Sequence, residues 1–346
     1  MISTEIRGTA TETTTMKAIV QDRYGTSEVL ELRNIDKPLI GDNEVLILVR
    51  AAGVNPGDWA IMGGLPYIAR PVYGMGKPKN RVRGTDVAGE VEAVGASVTR
   101  FRPGDEVFGS SKQLGGAFAE YAAVSQDALA PKPANLTFEQ AAAVPMAGYV
   151  ALQALRDHGK VRAGQKVLVN GASGGIGTFA VQIAKSFGAE VTGVTSTRNV
   201  DLVRSIGADH VIDYTKEDFT RTGQHYDFIL DNVANHSLSD LRRALAPRGM
   251  LVPNGGGFDH RWVASGGRLI SAKLSFAFVS QRLATFIVSP NQENLVVLTG
   301  LIETGKVTPV IDRAYPLSET RQALDHVGGG HARGKVVVTV SNEFTS

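Results

Sequence analysis

The rhythm of apolar and polar positions changes near residue 135. From Met16 to about Val124, short apolar or alternating runs are cut by turn residues. Met16–Val20, Val45–Val49, Val87–Val94, Glu106–Phe108 and Phe118–Val124 predict strands. Asn-Pro-Gly-Asp (55–58) and Pro-Gly-Asp (103–105) predict turns, because proline presets φ and glycine tolerates the left-handed region. This half reads as an irregular all-β domain. Beyond Pro133, Thr137–Leu155 is Ala-rich with helical spacing, and Thr137 with Gln140 makes a capping box. Strands Lys166–Asn170, Glu190–Val194, His210–Tyr214, Phe228–Asn232 and Met250–Pro253 then alternate with helices Ile176–Phe187, Asn199–Ile206 and Leu238–Leu245. Such alternation predicts right-handed βαβ units and a parallel sheet, hence an α/β fold. Residues 257–290 fit neither pattern and predict a helical insertion or a lid. A helix over Asn291–Glu303 and a β-branched strand over Gly334–Val340 close the chain.

Composition narrows the function classes. With 346 residues, 43% of them hydrophobic, the chain can bury one large core or two ordinary ones. Its 36 basic and 34 acidic residues leave a net charge of +2 without a dense basic run, which argues against a nucleic-acid partner. No cysteine is present, so disulfides and thiolate zinc sites are impossible. The most apolar stretch, 269–290, is interrupted by Lys273, Gln281 and Arg282, so no stable membrane insertion is expected. Residues 1–15 are Thr-rich and carry Glu5 and Glu12, unlike an Arg-rich, acid-poor transit peptide. They predict a disordered tail, and a cytoplasmic location is the expectation.

The strongest local signal is Lys166-Val-Leu-Val-Asn-Gly-Ala-Ser-Gly-Gly-Ile-Gly177, an apolar strand that runs through glycines into an amphipathic helix. One glycine serves the tight turn, one lets backbone approach a pyrophosphate, and one lets helix pack on strand. Ser173, Gly174, Gly175, Ile176 and Gly177 are therefore candidate phosphate-binding residues, with the helix N-terminus aimed at the anion. The second strand ends in Thr195-Ser196-Thr197-Arg198, with no carboxylate to hold a ribose 2′-OH. Hydroxyls and a guanidinium suit a 2′-phosphate, so the expected cofactor is NADPH. Asn254, Gly255 and Gly256 close the fifth strand, where the nicotinamide end is expected.

Further segments follow in order: Ala51-Ala-Gly-Val-Asn-Pro-Gly-Asp58, Gly84-Thr-Asp-Val-Ala-Gly-Glu-Val-Glu-Ala-Val-Gly95, Arg102-Pro-Gly-Asp-Glu-Val-Phe-Gly109, Gly116-Ala-Phe-Ala-Glu-Tyr121 and Ile206-Gly-Ala-Asp-His-Val-Ile-Asp-Tyr214. With the glycine loop, they resemble the zinc-free quinone oxidoreductases and alkenal reductases of the medium-chain dehydrogenase/reductase superfamily. The resemblance spans Met16 to Val340. It implies a GroES-like β domain (16–134 and 307–346) around a Rossmann, doubly wound nucleotide-binding domain (135–306), and a homodimer. Metal-using relatives place Cys where Asn55 stands and Gly-His-Glu at Gly84-Thr85-Asp86, so no metal is expected. Hydride transfer then needs an acceptor that is already electrophilic, a quinone or an α,β-unsaturated carbonyl.

By resemblance, Asn55 lies beside the nicotinamide, although position i of a β-turn is an equal reading of that residue. Asp58 reads as a cap rather than a catalyst. Tyr67 stands on a Gly- and Pro-rich loop and is either a phenol donor to a carbonyl or a packing residue. Tyr214 matches a tyrosine near the adenosine phosphate or is a strand-end aromatic. Lys335 matches a basic residue near the pyrophosphate or is a solvated strand-start lysine. Val150 replaces a threonine common in relatives. A non-catalytic nucleotide-binding interaction protein and an NADP-dependent alcohol dehydrogenase are the rival readings.

Overall fold

The computed structural model describes residues 14–111, 115–254, 276 and 279–341. In chain order the first half holds β1 (Thr15–Gln21), β2 (Leu30–Asp36), β3 (Glu44–Val54), α1 (Pro56–Met62), α2 (Arg70–Tyr73), β4 (Asp86–Val94), β5 (Glu106–Ser110), β6 (Tyr121–Ser125) and β7 (Leu129–Pro131). Then come α3 (Phe138–Ala142), α4 (Pro145–Leu152), β8 (Lys166–Asn170), α5 (Gly175–Ser186), β9 (Glu190–Thr195), α6 (Val200–Ser205), β10 (His210–Asp213), β11 (Tyr226–Asp231), α7 (Leu238–Ala244), β12 (Leu245–Pro253) and β13 (Arg282–Leu283). The chain ends with α8 (Gln292–Glu303), β14 (Ile311–Pro316), α9 (Thr320–Gly328) and β15 (Lys335–Thr339).

The capping box at Thr137 forms, with Gln140 N donating to Thr137 Oγ1 at 3.3 Å and Thr137 N to Gln140 Oε1 at 3.0 Å. The single helix expected over Thr137–Leu155 is nevertheless broken after Ala142. Pro145 has no N–H and its ring crowds the preceding turn, so a new helix starts there. A short π-helical turn, Gln153–His158, ends it. α4 is apolar on all sides because it is buried on all sides, between β-sheet, α5 and α8. β2 and β14 were not expected, since their charged, half-exposed sequences carry little apolar alternation.

β8 to β13 form a six-stranded parallel sheet in the order β10-β9-β8-β11-β12-β13. The order reverses at β8, and α/β sheets bind ligands at such a switch point, at the carboxyl ends of the strands. A second sheet runs β14-β15-β3-β4-β5-β7, with β6 also on β3. The last strand, β15, pairs antiparallel with β3, Val336 opposite Val54. The C-terminus therefore returns to the N-terminal sheet and brings Lys335 beside Val54 and Asn55.

Candidate active site

The phosphate loop leaves β8 at Gly171, whose φ of +79° an L side chain rarely adopts. At Gly177 the requirement is space: a Cβ would lie 2.1 Å from Gly171 O. α5 begins after Gly174 with no side chain capping its first turn and no acidic residue in it. Its leading N–H groups thus have no side-chain cap, the arrangement in which a helix start can receive an anion. Ser173 turns inward and binds the neighbouring strand: its Oγ accepts from Thr195 Oγ1 at 2.8 Å and from Asn199 Nδ2 at 3.0 Å. Asn199 was not anticipated; it fixes the turn after β9 to the loop.

At the end of β9, Ser196 is half-buried and Thr197 and Arg198 are exposed. The Arg198 guanidinium donates to His331 O at 3.3 Å, in the segment that leads into β15. Tyr214 follows β10 and is 57% exposed, its N–H donating to Thr195 O at 3.0 Å. It is a surface aromatic beside the β9 terminus, not a core one. A carboxylate does stand nearby, on the next strand: Asp213 accepts from Thr197 Oγ1 at 2.6 Å and Thr215 Oγ1 at 2.8 Å. The Thr197 hydroxyl bond first, then Thr215 and Lys216, hold its pKa down at about 2.

The second constellation is side-chain built. Asn55 caps α1 and is 6% exposed, with its N–H donating to Asp58 Oδ2 at 2.9 Å. Its backbone serves the turn, as the turn reading expected, while its carboxamide enters a buried cluster. Asn55 Nδ2 donates to Asp86 Oδ2 at 2.9 Å and to Thr85 Oγ1 at 3.3 Å. Lys335 Nζ donates to Asn55 Oδ1 and to Val54 O, and lies 3.9 Å from Asp86 Oδ2. Lys335 is 3% exposed, so it is not the solvated lysine of the alternative reading. Its stem rests on the phosphate loop, where a Cβ on Gly175 would meet Lys335 Cδ at 3.1 Å.

Burial dominates the electrostatics here. Desolvation pushes the Asp58 carboxyl up to about 7, helped by the charge of Asp86. It raises Asp86 as well, opposed chiefly by Lys335, and it lowers Lys335, opposed by Asp86 and Asp58. The buried phenol of Tyr149 on α4 is raised by desolvation and then by Asp86. Asp86 was noted in the sequence only as a position where metal users differ; its partners come from the cap of α1, from α4 and from β15, which no local pattern connects.

Tyr67 is not part of this cluster. It lies under the Arg70 guanidinium at 4.4 Å, and the same guanidinium covers the Tyr24 ring at 4.8 Å. Asn254 is exposed at the end of β12, its Nδ2 donating to Asn232 Oδ1 at 2.9 Å and its N–H to Asp231 O at 2.8 Å. It thus ties the carboxyl ends of β11 and β12. Gly255, Gly256 and most of 257–290 lie outside the described residues. A cavity of about 780 Å³ opens beside α1, lined by Ile61, Val72, Tyr73 and Arg83 among others. Neither Asn55 nor the phosphate loop lines it, so it is a separate feature of the N-terminal sheet domain.

Two family models match the chain, an alcohol dehydrogenase GroES-like domain over residues 41–134 and a zinc-binding dehydrogenase over residues 206–338. The chain is 37% identical to the mitochondrial NAD(P)H oxidoreductase RTN4IP1 of Mus musculus, over 97% of this chain and 92% of that protein. It is 33% identical to a chloroplast envelope quinone oxidoreductase homolog of Arabidopsis thaliana, over 93% of this chain and 98% of that one. Among solved structures, the quinone oxidoreductase from Coxiella burnetii superposes with a TM-score of 0.83 at 31% identity, covering 94% of this chain and all of that one. The expected cytoplasmic location is corrected by these names, which place the mouse relative in mitochondria and the plant relative at the chloroplast envelope. That expectation rested on residues 1–15, of which 1–13 lie outside the described residues. From the glycine loop at the switch point, the returning C-terminal strand and these relatives together, the chain belongs to the medium-chain dehydrogenase/reductase superfamily, as an oxidoreductase of the zinc-free quinone oxidoreductase type that uses a nicotinamide cofactor.

Proposed function

We propose that this protein transfers hydride from NADPH to a quinone or an α,β-unsaturated carbonyl without a metal. The observation that carries the reading is the Lys335 ammonium bound to Asn55 Oδ1, 3.9 Å from Asp86. A buried cation already stands among the residues that replace the metal ligands of relatives, and it repels a second cation. Without Lewis-acid help a saturated alcohol is a poor substrate, whereas an enone or quinone accepts hydride directly. NADPH supplies the hydride when bound; the enolate or quinol oxygen anion then takes its proton from solvent. The chain's part is to hold the pyrophosphate on the α5 N-terminus and to keep a fixed polar wall at Asn55.

The preference for NADPH rests on Ser196, Thr197 and Arg198, with Lys216 and Tyr214 nearby; Thr195, expected among them, is buried and gives its hydroxyl to Ser173 instead. Asp213 weighs against a 2′-phosphate by charge, but Thr197, Thr215 and Lys216 already engage it. Domain limits of 16–134 with 307–346 against 135–306, and a homodimer, complete the proposal. The test follows cofactor oxidation by absorbance with purified protein and a panel of quinones, enals and enones. Turnover far faster with NADPH than NADH is expected. NADPH binding with no turnover on any acceptor sinks the enzymatic reading in favour of an interaction protein.

A further inference from the structure

Lys335 touches both halves of the candidate site at once. The segment before it is clamped to the phosphate loop: Gly334 N donates to Ser173 O at 2.8 Å, Gly334 bridges Gly174 in parallel, and His331 O accepts from Arg198. The Lys335 stem lies against Gly175, while its buried Nζ donates to Asn55 Oδ1 and Val54 O. We propose that Lys335 is a positioning residue for the Asn55 carboxamide, not a ligand of the cofactor's pyrophosphate.

The chemistry is that of a carboxamide with unlike ends. A donor, the ammonium, faces Oδ1, and an acceptor, the Asp86 carboxylate, faces Nδ2. Flipping the amide would set Nδ2 against the ammonium and Oδ1 against the carboxylate, so only one orientation is tolerated. In that orientation one amide hydrogen is committed to Asp86. The other, held only by the 3.3 Å contact with Thr85, is the donor Asn55 can offer to a carbonyl at the nicotinamide end. Because the stem of Lys335 rests on Gly175, a phosphate group that settles the loop also settles the lysine, and through it the amide. The inference rests on the proposed hydride transfer, and deepens it.

The test compares the wild type with Lys335→Met, Lys335→Gln and Lys335→Arg, using NADPH titration by fluorescence and turnover at saturating NADPH. Loss of one charge-assisted hydrogen bond to Asn55 predicts a kcat about tenfold lower in Lys335→Gln, with the NADPH Kd changed by less than about twofold. Lys335→Arg, which keeps the charge, recovers part of kcat. Should Lys335→Met fail to fold, Lys335→Gln retains a donor and carries the test. An NADPH Kd weakened about tenfold or more, with kcat within about twofold of wild type, makes Lys335 a phosphate ligand and overturns the proposal. A wild type that binds NADPH but turns nothing over defeats the hydride-transfer reading instead. Titration then still decides: an unchanged Kd in Lys335→Gln upholds the assignment of the ammonium to Asn55, and a weakened one removes it.

Discussion

The phosphate loop and the Asn55 cluster share Lys335 but are built in opposite ways. The loop is backbone: glycines, a helix start without a side-chain cap, and the backbone of Gly171 and Ala172 packed too closely for a Cβ at Gly177. The cluster is side chain: two carboxylates, an ammonium and a carboxamide enclosed together, drawn from residues 55, 58, 86 and 335. A backbone site is held by its own conformation, glycine by glycine. A buried ionic site is held by mutual satisfaction, and each member depends on the rest.

That difference predicts where each region breaks. Asp86→Ala removes the carboxylate and leaves the Lys335 ammonium buried without its counter-charge, a change expected to cost about 3–5 kcal/mol of stability. Denaturant unfolding measures it, and a loss below about 1 kcal/mol would mean that the cluster is solvated rather than mutually dependent. Gly177→Ala drives a methyl into Gly171 O and is expected to cost about 1–3 kcal/mol, with weakened NADPH binding. Gly300→Ala, on α8 with nothing within 4 Å of the added Cβ, is the control and should stabilise by about 0.5–1 kcal/mol. Equal effects at the two glycines would remove the steric account of the loop.

Arg198→Ala is expected to weaken NADPH about tenfold while leaving NADH nearly unchanged, which competitive titration reads directly. Parallel losses for both cofactors would assign Arg198 to its contact with His331 alone. A further expected effect is a slope. The Asp58 pKa of about 7 exceeds its ordinary 3.8, so the folded state keeps a proton that the unfolded chain releases. Its stabilising contribution is complete below about 3.8 and is lost as pH rises through about 7. Asp58→Asn should therefore gain on the wild type in melting temperature between about pH 4 and 7 and run parallel to it above; curves parallel throughout would place Asp58 in water.

The alternation of strand and helix after residue 135, the glycine loop and the Thr137 capping box were legible in the sequence because each is a local pattern. Apolar spacing, turn residues and a cap act within a few positions, and the 3.6- and 2-residue periods report them. The break at Pro145 is equally local, since proline's missing N–H ends the preceding helix despite the alanine content around it. Asn55 was visible as a position, yet its two readings stayed open, because whether a turn residue also serves a site depends on what packs above it. The assignment of Asp86, the burial of Lys335, the stacking of Tyr67 with Arg70 and the lock of Ser173 by Asn199 were decided by tertiary structure. Their partners lie 26 to 280 residues away or on faces no period specifies. The sequence by itself determined most of the strands and helices of the parallel-sheet half and the glycine turn, since those follow from backbone geometry. Only the return of β15 to β3 decided that a lysine near the C-terminus completes a site begun at residue 55, because burial of charge is a property of the assembled core.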